Sequence, residues 1–168
     1  MASPRPPGRL RRLLRALTGG RSPAPGTDGR PVRSVDRGPA PGDVLGYSPR
    51  ADGRPDPGEI VWAWVPYDEG DGRGKDRPVL VIGRRGHDLL ALMLTSKDHD
   101  RDAADEARYG RYWTDIGSGP WDRRGRPSEV RLDRLLVLAA AGVRREGAAL
   151  DRARFDHVVT EARRVQRW

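Results

Sequence analysis

The sequence predicts a mainly β protein: a small, SH3-like antiparallel β-barrel with a C-terminal α-helix, preceded by a disordered N-terminal tail. Three observations carry this reading. Short apolar runs over 58–66, 78–83, 89–95 and 129–138 recur with turn residues between them, the pattern of an antiparallel barrel or sandwich and not of alternating strands and helices. The last segment switches to helical spacing. The first third has almost no large apolar side chains after Leu17, so it cannot bury enough surface to offset the entropy of ordering it.

Taken in order, residues 1–56 read as a Pro/Gly/Arg-rich tail and 57–168 as the folded domain. Disorder is expected from about Gly19 to Pro57. Within the tail, Leu10, Leu13, Leu14 and Leu17 fall on one face of a short amphipathic helix over 9–17, with Arg on the other. That helix is too short and too charged to cross a bilayer. No signal-peptide pattern occurs, so no stable membrane association is expected and the cytoplasm is the expected location.

The first strand, Gly58–Pro66, is apolar on both faces, with Trp62 and Trp64 on one side expected to fill the core or a dimer interface. Tyr67 to Asp76 is a Gly/Asp-rich loop. Pro78–Gly83 and Leu89–Thr95 form a hairpin with Gly86 in its turn. Lys97–Arg108 is a charged connection with room for one helical turn, and Tyr109–Ile116 a fourth strand. Glu129–Leu138 is a fifth strand, expected to break into a helical turn near Leu135. Phe155, Val158, Val159, Ala162 and Val165 line one face of the final helix, with Asp151 as cap.

Composition excludes several classes. There is no cysteine, hence no disulfide framework, thiolate metal site or cysteine nucleophile. The net charge of +8 is unevenly placed: residues 1–55 hold 11 basic and 4 acidic side chains, leaving 21 and 20 for the rest. The domain is therefore almost neutral, and binds a polyanion only by gathering its arginines on one face. Gly70-Asp71-Gly72-Arg73-Gly74 lacks the lysine–threonine ending and following helix of a phosphate-binding loop. His99, between Asp98 and Asp100, reads as a solvated loop residue; no metal or other cofactor is expected.

Hairpin geometry makes one local prediction. Pro78 fixes the backbone after Arg77 at a strand start. In an antiparallel pair the start of one strand lies beside the end of the next, so Arg77 and Thr95 should be spatial neighbours, with Ser96 adjoining. Arg131 and Asp133 are two residues apart on a strand and should share a face.

In their order, Arg77-Pro78, Thr95-Ser96 and Arg131-Leu132-Asp133, following the opening strand, resemble the PemK/MazF family of toxins from toxin–antitoxin pairs over about residues 57–165. The resemblance implies the SH3-like barrel of that family, which the gyrase-poisoning toxins share, and usually a homodimer. It implies a metal-independent endoribonuclease that cleaves single-stranded RNA through its own 2′-OH, with a cognate antitoxin as partner. Arg77, Thr95 and Ser96 would hold the phosphate, Asp133 would be the base and Arg131 the acid or phosphate clamp. Arg73, Lys75, Lys97, Arg123 and Arg124 would contact RNA, with Trp121 as a stacking aromatic. The alternatives are a toxin acting on DNA gyrase and a non-catalytic binding protein on the same scaffold. The loop from Asp68 to Asp76 is more acidic than the family pattern and disfavours phosphate unless Arg73 and Lys75 face inward.

Overall fold

The computed structural model describes residues 32–35, 38–99 and 102–168. The helix expected at 9–17 lies outside them. Eight strands among the described residues form one antiparallel sheet: β1 Arg33–Val35, β2 Val44–Leu45, β3 Glu59–Pro66, β4 Gly74–Arg85, β5 Asp88–Thr95, β6 Trp113–Gly117, β7 Ser128–Ala139 and β8 Val143–Ala149. A short helix α1, Ala103–Arg108, joins β5 to β6, and α2, Arg152–Gln166, ends the chain. The strand order is β1-β7-β5-β4-β3-β8, with β2 beside β4 and β6 beside β7, so the hydrogen-bonded path is curled but not closed.

The central strands are apolar without alternation because both of their faces are buried. Along β4, Leu80 and Ile82 point one way and Val79 and Val81 the other. Along β5, Leu90, Leu92 and Leu94 are opposed by Leu89, Ala91 and Met93. The first set packs under α2 through Phe155, Val158, Val159 and Ala162; the second meets Val61, Ala63, Val65, Leu136 and Leu138. Asp151 caps α2 by accepting from the Arg154 N–H at 3.0 Å. Gly86, at φ +58°, makes the tight β4–β5 turn between the paired Arg85 and Asp88.

Four expectations are corrected. First, the disorder expected to reach Pro57 stops short of it: Leu45 and Tyr47 pack on the core and Asp56 is buried. β1 pairs with β7 and β2 with β4. The Tyr47 ring meets Phe155 edge-on at 5.1 Å, and its hydroxyl donates to the Leu150 carbonyl at 2.8 Å. Sequence reasoning missed this because these strands of three and two residues are held by partners, not by their own propensity. Second, β8 was absent from the expectation, its residues being mostly charged or small. Third, the core share of β3 comes from Ile60 on one face and Val61, Ala63 and Val65 on the other, while Trp62 and Trp64 are only half-buried and do not fill the core of the single chain. Fourth, β7 runs unbroken through Leu135.

Two ion-pair clusters fasten the N-terminal segment. Asp56, 1% exposed, accepts from Arg50 at 3.1 and 3.2 Å and from Arg84 at 2.9 Å. Asp43 is paired with Arg85 at 2.7 and 2.9 Å. The Arg50 hydrogen bonds hold the Asp56 carboxyl below its ordinary value despite burial, and the Arg85 hydrogen bond does the same for Asp43. Between its folded and unfolded pKa values each group carries fewer protons in the folded chain. Their contribution to stability is therefore complete above about pH 4 and is lost as pH falls through the folded values. Asp56→Asn is expected to lower the urea midpoint at pH 7 and to flatten the fall in stability below about pH 4. Parallel stability–pH curves for the two proteins would refute this.

Candidate active-site cleft

At one end of the sheet, the β3–β4 loop, the start of β4, the end of β5, the 96–99 turn, β6 and the first half of β7 surround an open cleft of about 1340 Å³. Its position follows from the hairpins. Ala63 pairs with Arg77 and Val79 with Met93, so Arg77 on β4 and Thr95 on β5 emerge at the same rim. Thr95 in turn pairs with Glu129, and Trp113 with Arg131, which brings β7 and β6 alongside.

Arg77, Thr95, Ser96 and Arg131 all line this cleft, as do Arg73, Lys75, Lys97, Arg123 and Arg124. Ten basic and five acidic side chains face it, so a nearly neutral domain concentrates its positive charge here. Lys75, Arg77, Lys97, Arg123 and Arg124 have no carboxylate partner among the described residues. Arg73 does: its guanidinium is held by Asp71 at 2.5 Å. Arg77 adds positive charge beside Arg134.

Two predicted residues behave differently. Trp121 is 6% exposed, part of the core under α2, and its indole N–H donates to Ser128 Oγ at 3.1 Å. It lines the cleft as part of its wall, with most of its surface packed inward; its Gly/Pro/Arg-rich surroundings made it read as a more exposed loop aromatic. Asp133 does share a face with Arg131, but it does not line the cleft. Both of its oxygens accept from Arg131, at 2.9 to 3.1 Å, and Oδ1 also accepts from the Tyr112 N–H at 2.9 Å. It sits behind Arg131 and orients it.

The cause is a break in the β5–β7 ladder. Leu92 pairs with Leu135 but Leu94 with Val130, so residues 131–134 bulge out opposite a single residue. Regular alternation would send Arg134 away from Arg131. The bulge instead brings both to the cleft while Leu132 enters the core.

Sequence reasoning missed three residues there. Asp68, from the acidic loop, accepts from Arg131 at 2.8 and 3.1 Å and pairs with Arg134 at 3.0 Å and Arg111 at 3.8 Å. Desolvation pushes its carboxyl up, but the hydrogen bonds from Arg131 and the charges of Arg131, Arg134 and Arg111 win and hold it below its ordinary value. Arg134 also donates to the Pro66 carbonyl and to Ser34 Oγ, at 2.9 and 2.7 Å. His99 lies flat on Trp113, ring centroids 4.1 Å apart and 2° from parallel, and its backbone N–H is tethered to the Glu129 carboxylate at 3.2 Å. Burial pushes its imidazole below the ordinary value, outweighing the carboxylates of Glu106, Asp102 and Asp98. It is therefore largely neutral at pH 7, with a ring nitrogen able to accept a proton.

Among the described residues, no helix is long and apolar enough to cross a membrane, and no three His, Asp or Glu side chains gather in a metal-binding group.

The fold and site define a small, mainly β protein with a helix across one face of its sheet and a cationic cleft that carries arginine, threonine and serine at a hairpin rim. More particularly, residues 56–165 match the family model for the PemK-like, MazF-like toxin of type II toxin–antitoxin systems, and the chain belongs to that family. Membership implies an antitoxin partner. No curated protein matches the chain.

Proposed function

We propose that this protein is a metal-independent endoribonuclease toxin that cleaves single-stranded RNA. The observation that carries the reading is that Arg77, Thr95, Ser96 and Arg131 share one cleft with Lys75, Lys97, Arg123 and Arg124, cations without a carboxylate partner among the described residues. Cations spread along an open groove suit a phosphate backbone. Arg77 has no competing carboxylate among the described residues, so its fork is available to two non-bridging phosphate oxygens. Thr95 and Ser96 add neutral donors at the same rim.

In the reaction, the 2′-oxygen bonds to the adjacent phosphorus, and the P–O5′ bond breaks with its electron pair leaving on O5′. The 2′-OH proton passes to the neutral ring of His99. The departing oxygen takes a proton from water in the open cleft, and the hydroxide so formed takes back the proton held by the His99 imidazolium. The products are a 2′,3′-cyclic phosphate and a 5′-hydroxyl. Arg77 and Arg131 stabilise the charge that builds on the phosphorane oxygens. Asp133 takes no proton; with both oxygens bound, it fixes Arg131. The working form is a cytoplasmic homodimer held in check by its antitoxin.

The test is cleavage of a labelled single-stranded RNA pool with EDTA present. Arg77→Ala is expected to lower the rate about 10²- to 10³-fold, the usual cost of losing one group that stabilises developing charge. Equal cleavage by both proteins, or none by the unmutated chain on a broad pool, removes this reading.

A further inference from the structure

Three guanidinium groups from separated positions converge on one carboxylate. Arg131 and Arg134 reach Asp68 from the β7 bulge, Arg111 from the segment before β6. A carboxylate held by several forked donors is the arrangement that also suits a phosphate. We infer that Arg111, Arg131 and Arg134 form a phosphate-binding subsite of the cleft, which Asp68 occupies in the free protein and yields to a phosphodiester of the bound strand. The inference rests on the ribonuclease reading only for the source of that phosphate.

Charge balance supports the exchange. Arg131 is also paired with Asp133, and Arg111 with Glu106 at 3.6 Å. With Asp68 in place, the three guanidinium groups face three carboxylates. Removing Asp68 leaves one positive charge uncompensated, in a place where Arg131 and Arg134 are largely withdrawn from water. A phosphodiester restores one negative charge, so the swap is one for one.

The position of Asp68 supports it too. Asp68 sits on the loop between β3 and β4, with its side chain 37% exposed. The side-chain contacts of Asp68 are all with these arginines. The loop turns on Gly70 and Gly72 at φ +65° and +81°, a conformation glycine adopts freely. Swinging the carboxylate outward therefore breaks no other bond it makes. Two features of the chain that otherwise conflict are reconciled: an acidic loop at the mouth of an anion-binding cleft.

The experiment uses the full chain, with Asp68→Asn and Asp68→Glu. Thermal unfolding is followed in rising inorganic phosphate, with ionic strength held constant by chloride. Binding is measured with a 2′-deoxy-substituted, uncleavable single strand. In Asp68→Asn the midpoint is expected to rise with phosphate much more steeply than in the unmutated protein. Its affinity for the strand should be about tenfold tighter at low salt, with a salt slope steeper by about one phosphate contact. Asp68→Glu keeps the charge and should behave as the unmutated chain. It also stands in if the neutral variant folds poorly, since adding Arg134→Gln to Asp68→Glu must then abolish the residual phosphate response. Identical phosphate responses and unchanged strand affinity in Asp68→Asn overturn the subsite. The phosphate arm contains no RNA, so a chain that cleaves nothing can still uphold the subsite, and a cleaving chain can still refute it.

Discussion

Arg131→Ala is expected to slow cleavage steeply and to destabilise the fold in one step. Arg131 is 8% exposed and serves two carboxylates at once, Asp133 at 2.9 Å and Asp68 at 2.8 Å. Truncation would leave Asp133 with the Tyr112 N–H as its donor and Asp68 with only Arg134 and Arg111. Removing one partner from a buried ion pair typically costs about 3–5 kcal/mol, because the remaining charge stays desolvated. Asp68 is partly open to water, so about 3 kcal/mol is the better expectation. The rate should fall about 10³-fold if the guanidinium also steadies the phosphorane. Urea unfolding and single-turnover cleavage check the two effects separately. Arg131→Lys keeps the charge but loses the fork; it should recover stability more than rate. A fully active, fully stable Arg131→Ala protein contradicts both parts.

The second large effect concerns residues the family match leaves out. A chain beginning at residue 56 would lack β1, β2, Tyr47 and Asp43. Tyr47 is partly buried, so its ring contributes about 1–2 kcal/mol, below the range for full burial, and its hydroxyl bond to Leu150 about 1 kcal/mol more. Losing Leu45 from the core and the Asp43–Arg85 pair adds to this. A total loss of about 3–6 kcal/mol is expected, against a typical whole-domain stability of about 5–15 kcal/mol. The comparator is a chain beginning at residue 32, which retains every contact named here. Chemical denaturation of the two, with a dye that reports exposed apolar surface around Phe155, decides the matter. Equal midpoints would show that residues 32–55 add nothing.

The sequence was legible wherever its signals were local. The runs Ile60–Val65, Val79–Ile82, Leu89–Leu94 and Val130–Leu138 announce strands because β-branched and leucine residues pack on both faces. The spacing from Phe155 to Val165 announces a helix for the same reason. Arg77 and Thr95 could be placed at one rim because in a hairpin the start of one strand lies beside the end of the next, a relation that the one-residue shift between Val81 and Gly83 does not undo. The failures were non-local. β1 and β2 exist through β7 and β4, and β8 has only a valine and alanines to mark it. Alternation placed Asp133 on the face of Arg131, but it could not anticipate the bulge that brings Arg134 to the same cleft. Asp68 looked like an obstacle to phosphate in the sequence, since its partner Arg131 lies 63 positions away. Trp121 looked exposed because composition does not reveal the serine that receives its N–H.

The irregular stretch of β7 has a genetic corollary. Because four residues there do the spatial work of fewer, the gene should tolerate another apolar residue at Leu132 better than it tolerates the loss of that codon. Deleting Leu132 would take a core side chain out of the bulge and shift the alternation of everything beyond it by one position, so that each later side chain exchanges faces relative to Arg131. At this position, length more than identity is what the coding sequence has to preserve.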